Sequence, residues 1–162
     1  MSADLRQLLK IFNAYECEYV FLNEYDLIIV PIEGKNHDNL LIFISLQEDG
    51  KYLKISAENL FKVDQFVERE KIDKTILILS AKYSLNGKYN PELEQISVSL
   101  EFPLQENNLT ESQFDNYFYH FVDVVDNDWI PILRSVSAGE EYLDEYSSIE
   151  KFRLDLEDFY RL

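Results

Sequence analysis

Few residues in this sequence of 162 could form a thiol or hydroxyl nucleophile paired with a histidine base. A hydroxyl or thiol nucleophile needs a positioned base, and the histidines are His37, in a predicted loop, and His120, on the predicted outer side of a helix. The single cysteine, Cys17, lies between Glu16 and Glu18, whereas reactive thiols lie in positively charged surroundings. The sequence therefore predicts no catalytic residues and a protein that is not an enzyme.

Carboxylates cluster at two places where a hard cation could bind or a proton could be transferred. These clusters are Glu140 and Glu141 with Asp144, and Asp123 with Asp126. Among 31 acidic residues such pairs arise by chance, and no stretch has the spacing of a calcium-binding loop. One cysteine cannot build a zinc cluster, and four glycines leave no phosphate-binding loop. We expect no metal and no cofactor, and the sequence does not indicate which residues contact a partner.

Composition and charge describe a protein that folds without disulfides and avoids polyanions. Hydrophobic residues make up 46% of the chain and aromatic residues 14%, which is enough for the core of a single domain. The formal net charge of −16 repels nucleic acid and anionic lipid surfaces. The sequence contains neither a signal peptide nor an apolar stretch of ~18 residues. We therefore expect a cytoplasmic protein that binds neither membranes nor nucleic acid directly.

The first part of the chain contains one helical pattern and then four strand patterns. The apolar residues with helical spacing are Leu5, Leu8, Leu9 and Phe12. Runs rich in β-branched and aromatic residues predict strands at residues 19–22, 27–30, 40–44 and 52–55. Short turn-forming segments separate these runs, which predicts an antiparallel meander.

The segment from residue 66 to residue 84 fits two structures. Apolar residues recur at helical spacing from Ile72 to Tyr83, whereas residues 75–79 would also suit a buried strand. The local pattern leaves both structures open. We favour the helix because the apolar stripe already starts at Phe66.

A hairpin is predicted around the turn at residues 90–92. Apolar and polar residues alternate strictly after this turn until Pro103 ends the second strand. The polar side of that strand carries Ser97, Ser99 and Glu101, and we expect it to face solvent.

The clearest helix start in the chain lies at Thr110. Thr110 and Gln113 have the spacing of a capping box, and Leu109 and Phe114 occupy the positions of a hydrophobic staple. The apolar stripe of the helix comprises Phe114, Tyr117, Phe118, Phe121, Val122 and Val125. The polar side comprises Asp115, Asn116, His120, Asp123 and Asp126. We expect the stripe to pack on the sheet and a further short helix to follow Pro131.

Two segments of the chain carry a resemblance to a known family. They are residues 100–114, with the sequence LEFPLQENNLTESQF, and residues 124–126 together with 131–133. With this order of elements the chain resembles, over roughly residues 3–135, the bacterial YbjN-like family, whose members are labelled sensory transduction regulators. That family is similar to the type III secretion chaperone fold. The resemblance implies an antiparallel sheet of about five strands with helices packed on it, and a helix at residues 66–84.

The predicted fold class is α+β, with one YbjN-like domain at residues 1–138 and an acidic tail at residues 139–162 that is expected to be helical. The resemblance supplies no catalytic residues. Type III chaperones bind extended segments of partner proteins, and many are small acidic dimers. The resemblance therefore implies a non-enzymatic, chaperone-like or regulatory module that binds a protein partner. An uncovered strand edge or the last helix could also form a twofold homodimer.

Two other functions stay open at this point. A small-molecule sensor or enzyme with an unrecognised pocket predicts thermal stabilisation by its ligand. An acidic mimic of nucleic acid predicts carboxylates in rows on one face and binding that salt abolishes.

Overall fold

The computed structural model describes residues 5–37, 39–63, 68–104 and 110–140, which form one antiparallel sheet and a layer of helices. The strands are β1 (Val20–Leu22), β2 (Leu27–Ile32), β3 (Leu40–Gln47), β4 (Tyr52–Lys62), β5 (Asn86–Asn90) and β6 (Gln95–Pro103). The α-helices are α1 (Leu5–Ala14), α2 (Arg69–Tyr83), α3 (Glu111–Val124) and α4 (Ile130–Ser137). A 3₁₀ turn (Asn23–Tyr25) joins β1 to β2, and a π-helical turn (Val125–Trp129) joins α3 to α4.

The strands lie in the order β1-β2-β3-β4-β6-β5 across the sheet. The first four follow one another along the chain, so the predicted meander is confirmed. The chain then forms α2 and β5 before β6 returns to pair with both β4 and β5. The α+β class is confirmed, and the described part of the sheet holds six strands where the resemblance implied about five.

One face of the sheet packs against the helices and forms the core. Successive strands place Ile28, Ile44 and Ile55 opposite one another on this face, and all three are fully buried. Every helix adds buried side chains to the same cluster, for example Leu8 from α1, Ile72 from α2, Phe121 from α3 and Leu133 from α4. Burying a side chain of this size contributes about 1.5–3 kcal/mol, so the apolar stripes hold the helices on the sheet.

The segment with the ambiguous pattern is helical. Ile72, Ile76 and Leu79 lie on one side of α2 and are buried, whereas Leu77 is 59% exposed. Thr75 donates its hydroxyl to the carbonyl oxygen of Lys71 one turn earlier, at 2.7 Å. The predicted helix is therefore confirmed from residue 69 to residue 83, and the part that would start at residue 66 lies outside the described residues.

The capping box at the start of α3 is confirmed. The backbone N–H of Gln113 donates to the hydroxyl of Thr110 at 3.1 Å, and the N–H of Thr110 donates to the side-chain oxygen of Gln113 at 3.3 Å. The staple residue Leu109 lies outside the described residues. The helical conformation does not end after α3. It continues through the π turn into α4, whose first turn contains Pro131. Gly139 then ends α4 in a left-handed conformation, with φ +97°.

One prediction for β6 is wrong. Ser99 is buried, although Ser97 is half-buried and Glu101 is exposed. The reason is that β6 is an interior strand, where Ser99 lies between Ser56 on β4 and Asn86 on β5. A small side chain in this position is enclosed by its cross-strand neighbours, which strand alternation alone does not reveal.

Candidate functional site

The residues that could have formed a catalytic site lie on three different segments of the chain. Cys17 is exposed just after α1, and His120 is exposed on α3. His37 lies in the loop between β2 and β3, where its Nδ1 accepts a hydrogen bond from the backbone N–H of Asn39 at 3.2 Å. Within the described ranges, no group of three histidine, cysteine, aspartate or glutamate side chains could hold a metal ion.

The candidate carboxylate pair on α3 separates into two different contacts. Asp123 is exposed and accepts a hydrogen bond from the side-chain amide of Asn127 at 2.6 Å. Asp126 was expected on the polar outer side of the helix, and that expectation is wrong, because only 5% of Asp126 is exposed. In the other cluster, Glu140 accepts from the hydroxyl of Ser135, and Glu141 and Asp144 lie outside the described residues.

The carboxylate of Asp126 holds the loop between β2 and β3. It accepts the backbone N–H groups of Lys35 at 2.8 Å and of Asn36 at 3.0 Å, and the Asn36 amide donates to the Asp126 carbonyl oxygen at 2.8 Å. A Cβ on Gly34 would lie 2.4 Å from the same carboxylate, so only glycine fits. The guanidinium of Arg134 on α4 donates to the Asn36 carbonyl oxygen. The helix layer thus fixes a loop at the end of the sheet.

The face of the sheet opposite the core carries a different set of side chains. The register aligns two rows across the strands on this face. The first row is Leu22, Leu27, Ser45, Lys54 and Glu101, and the second is Val20, Ile29, Phe43, Ser56, Ser99 and Asn86. Both rows change from apolar on β1, β2 and the start of β3 to polar on β4, β5 and β6.

We call the apolar part of this face the open-face patch. Its members are Val20, Leu22, Leu27, Ile29, Leu41 and Phe43. Val20 is 53% exposed and Leu41 42% exposed, and the other four are half-buried. All four described helices contribute buried side chains to the core cluster, which contains no member of the patch. A contiguous apolar patch on a sheet face that the described helices leave uncovered is typical of a surface that binds another molecule.

Two open cavities border the patch near the ends of β2 and β3. The larger, of about 470 Å³, lies where β1 stops short of β2 and is lined by Cys17, Glu18, Glu33, Asn39 and residues 30–32. The smaller, of about 180 Å³, is lined by His37, Asn39, Leu40, Leu41, Phe43, Glu58 and Leu60. Asn39 lines both cavities, so they adjoin the loop that Asp126 holds. Both cavities open to solvent, and the larger alone of these two reaches the volume of a typical small-molecule site.

Two exposed tyrosines outside the patch, Tyr117 and Tyr15, contact other described elements. Tyr117 on α3 stacks on Phe102 of β6, with ring centroids 4.0 Å apart. The hydroxyl of Tyr15, after α1, donates to carboxylate oxygens of Glu111 at 2.9 Å and Asp115 at 3.1 Å on α3. These hydrogen bonds raise the pKa of Tyr15 above its ordinary value, and the bond to Glu111 has the larger effect. They stabilise the contact between α1 and α3 and leave the open-face patch unaffected.

Comparison with solved structures identifies a shared fold. A chain in the crystal structure of the ExsC–ExsE complex superposes with a TM-score of 0.59 at 14% sequence identity, over 79% of this chain and 91% of that one. The two chains have the same fold. Protein-family models and curated proteins give no match, so membership of the YbjN-like family stays a prediction. None of the described helices has the length and apolarity to cross a bilayer.

Proposed function

We propose that the protein is a non-enzymatic interaction module, chaperone-like or regulatory, that binds a segment of a partner protein on the open-face patch. The observation that carries this proposal is the patch itself, six apolar side chains on a sheet face that the described helices leave uncovered. Val20 and Leu41 project furthest into solvent and are the natural anchors for a partner's apolar side chains.

Three further observations support this proposal. The described catalytic candidates lie on three different segments, and the two cavities lie at the border of the patch. The solved chain with the same fold comes from a complex of two proteins, and the activity proposed here is the binding of a protein. From the sequence features described above, we also propose that the protein acts in the cytoplasm and belongs with the YbjN-like proteins.

The test is affinity capture of partners by the tagged full chain from native lysate, with three baits compared. The first bait is the natural sequence, the second carries Leu41→Asp on the patch, and the third carries Leu77→Asp on the outer side of α2. Leu41 and Leu77 are both exposed, so neither change disturbs the core. We expect at least a tenfold loss of the captured partner with Leu41→Asp and no loss with Leu77→Asp, because a buried charge without a partner is costly.

The salt dependence of capture separates this proposal from the acidic mimic of nucleic acid. An apolar contact survives high salt, whereas electrostatic mimicry of nucleic acid loses its partner. If Leu41→Asp and Leu77→Asp bind the same partner equally well, the patch is not the binding surface and the proposal fails.

A further inference from the structure

A third row on the open face runs from carboxylate to carboxylate. Pro31 on β2 pairs with Leu41 on β3, in line with the two rows described above. The pairing of β3 with β4 ends at Ile42 and Ala57, and the next residues, Leu41 and Glu58, line the smaller cavity together. At the other end Glu18 lines the larger cavity with Pro31. The row is therefore Glu18, Pro31, Leu41 and Glu58.

All four members of this row are accessible and its ends are acidic. Glu18, Pro31, Leu41 and Glu58 are exposed, and Glu33 adds a second carboxylate to the cavity at the Glu18 end. The ends also contain His37, in the smaller cavity. Two lysines of the same sheet face lie outside this row: Lys54 is two rows away, opposite Glu101, and Lys88 is on β5, opposite Ser97 and beyond Glu58. The apolar centre is thus flanked by negative charge on both sides.

The length of the row sets the size of what can bind along it. Neighbouring strands lie about 4.8 Å apart, so the span from Glu18 past β2 and β3 to Glu58 is about 14 Å. An extended chain covers that distance with about four residues. A basic side chain on each side of a four-residue apolar stretch would therefore meet one acidic end of the row each.

We propose, as a refinement that rests on the proposed function, that the partner segment is an extended peptide with a short apolar stretch between two basic residues, and that it lies across the strands along this row. Pro31 and Leu41 contact the apolar stretch, and Glu18 with Glu33 at one end and Glu58 at the other pair with the basic residues. Charge complementarity at the two ends fixes where the peptide lies, and the apolar centre supplies the contact that salt does not screen.

The test uses a defined pair of synthetic peptides and the full chain labelled with ¹⁵N. Both peptides have capped ends and the same four-residue apolar centre; lysines flank it in one and glutamates in the other. Dissociation constants are measured from amide shifts near Glu18, Leu41 and Glu58. We expect the lysine-flanked peptide to bind about tenfold more tightly at low salt, and the difference to vanish when salt shortens the screening length to about 3 Å.

A charge swap on the protein provides the matched control. The double variant Glu18→Lys with Glu58→Lys should reverse the preference. The double variant Glu70→Lys with Glu92→Lys makes the same change in net charge at exposed sites away from the row and should leave the preference intact.

The proposal is overturned if the two peptides bind equally, if neither shifts the row, or if the control variant reverses the preference as well. In the last case the net charge of −16 alone explains the selectivity. These failures are distinct from a failure of the proposed function, which the Leu41→Asp and Leu77→Asp baits test with the natural partner.

Discussion

The two faces of the sheet differ in how their side chains are used. On the core face Ile28, Ile42 and Ile55 are fully buried beneath the helices. The side chains that alternate with these along the strands point to the open face. There, Val20 and Leu41 keep about half of their surface exposed. Both faces are rich in aliphatic side chains on β2 and β3, yet one is covered within the described chain and the other is not.

This difference shows that the strands of the meander serve two purposes. A strand that is apolar on both sides normally lies in a sheet that is covered on both faces. β2 and β3 have that pattern, but the described helices cover one face. The described helices therefore do not account for the apolar composition of the second face, and it is where we place the partner.

The largest expected loss of stability is at Ile42 on the core face, and its neighbour Leu41 on the open face serves as the control. Ile42→Ala should destabilise the protein by about 3 kcal/mol, because it leaves a cavity in a fully buried layer. Leu41→Ala should change the free energy of unfolding by no more than about 0.5 kcal/mol, because its side chain is already largely in solvent. Urea denaturation of both variants measures the difference. Equal losses would mean that the open face is packed like the core and would break the comparison.

The next effect concerns the contact by which the helix layer fixes the end of the sheet. Asp126→Ala should cost about 2–3 kcal/mol, since it leaves the N–H groups of Lys35 and Asn36 without their acceptor in a poorly solvated place. Asp123→Ala on the exposed side of α3 is the matched control and should be close to neutral.

Gly34→Ala sharpens the same prediction. The new Cβ would meet the Asp126 carboxylate, so the change should destabilise the natural protein and cost less in the Asp126→Ala background. A double-mutant cycle measured by urea denaturation gives the coupling. If the costs simply add, a side chain at position 34 does not meet the Asp126 carboxylate.

The smallest effect lies at the exposed contact between α1 and α3. Because the hydrogen bonds to Glu111 and Asp115 favour the protonated phenol, the stability they contribute is present below about pH 10 and is lost as the pH rises beyond that ordinary tyrosine value. Tyrosinate absorbance of the native protein and of Tyr15→Phe should therefore coincide near pH 10 and diverge above it. A deficit of half a tyrosine in the variant at pH 10 would show that Tyr15 ionises normally.

Much of the fold could be predicted from the sequence because its signals are local. The capping box at Thr110 and Gln113 and the apolar spacing from Ile72 to Tyr83 each depend on residues within a few turns of one another. The strands between residues 19 and 55 are marked by composition and by short turns. The domain boundary at residue 138 and the helical tail beyond it stay predictions, since residues 141–162 lie outside the described part.

The features that were missed depend on contacts between distant segments. Asp126 looks like a solvated residue of α3, but the π turn changes its angular position and its partners are backbone groups some ninety residues earlier in the chain. Ser99 is buried because two other strands lie beside it. The acidic ends of the third row, Glu18 and Glu58, are placed beside Pro31 and Leu41 only by the two cavities that these residues line in the folded chain. The open face itself could not be located from pattern alone, because apolar runs on β2 and β3 fit full burial equally well.

The most direct test of the open face as the binding surface is hydrogen exchange of the full chain, free and in complex with its captured partner. We predict slower exchange in residues 27–32 and 40–47 on binding, with exchange along the outer side of α2 unchanged. Protection confined to the helices, with β2 and β3 exchanging as in the free protein, would contradict the account.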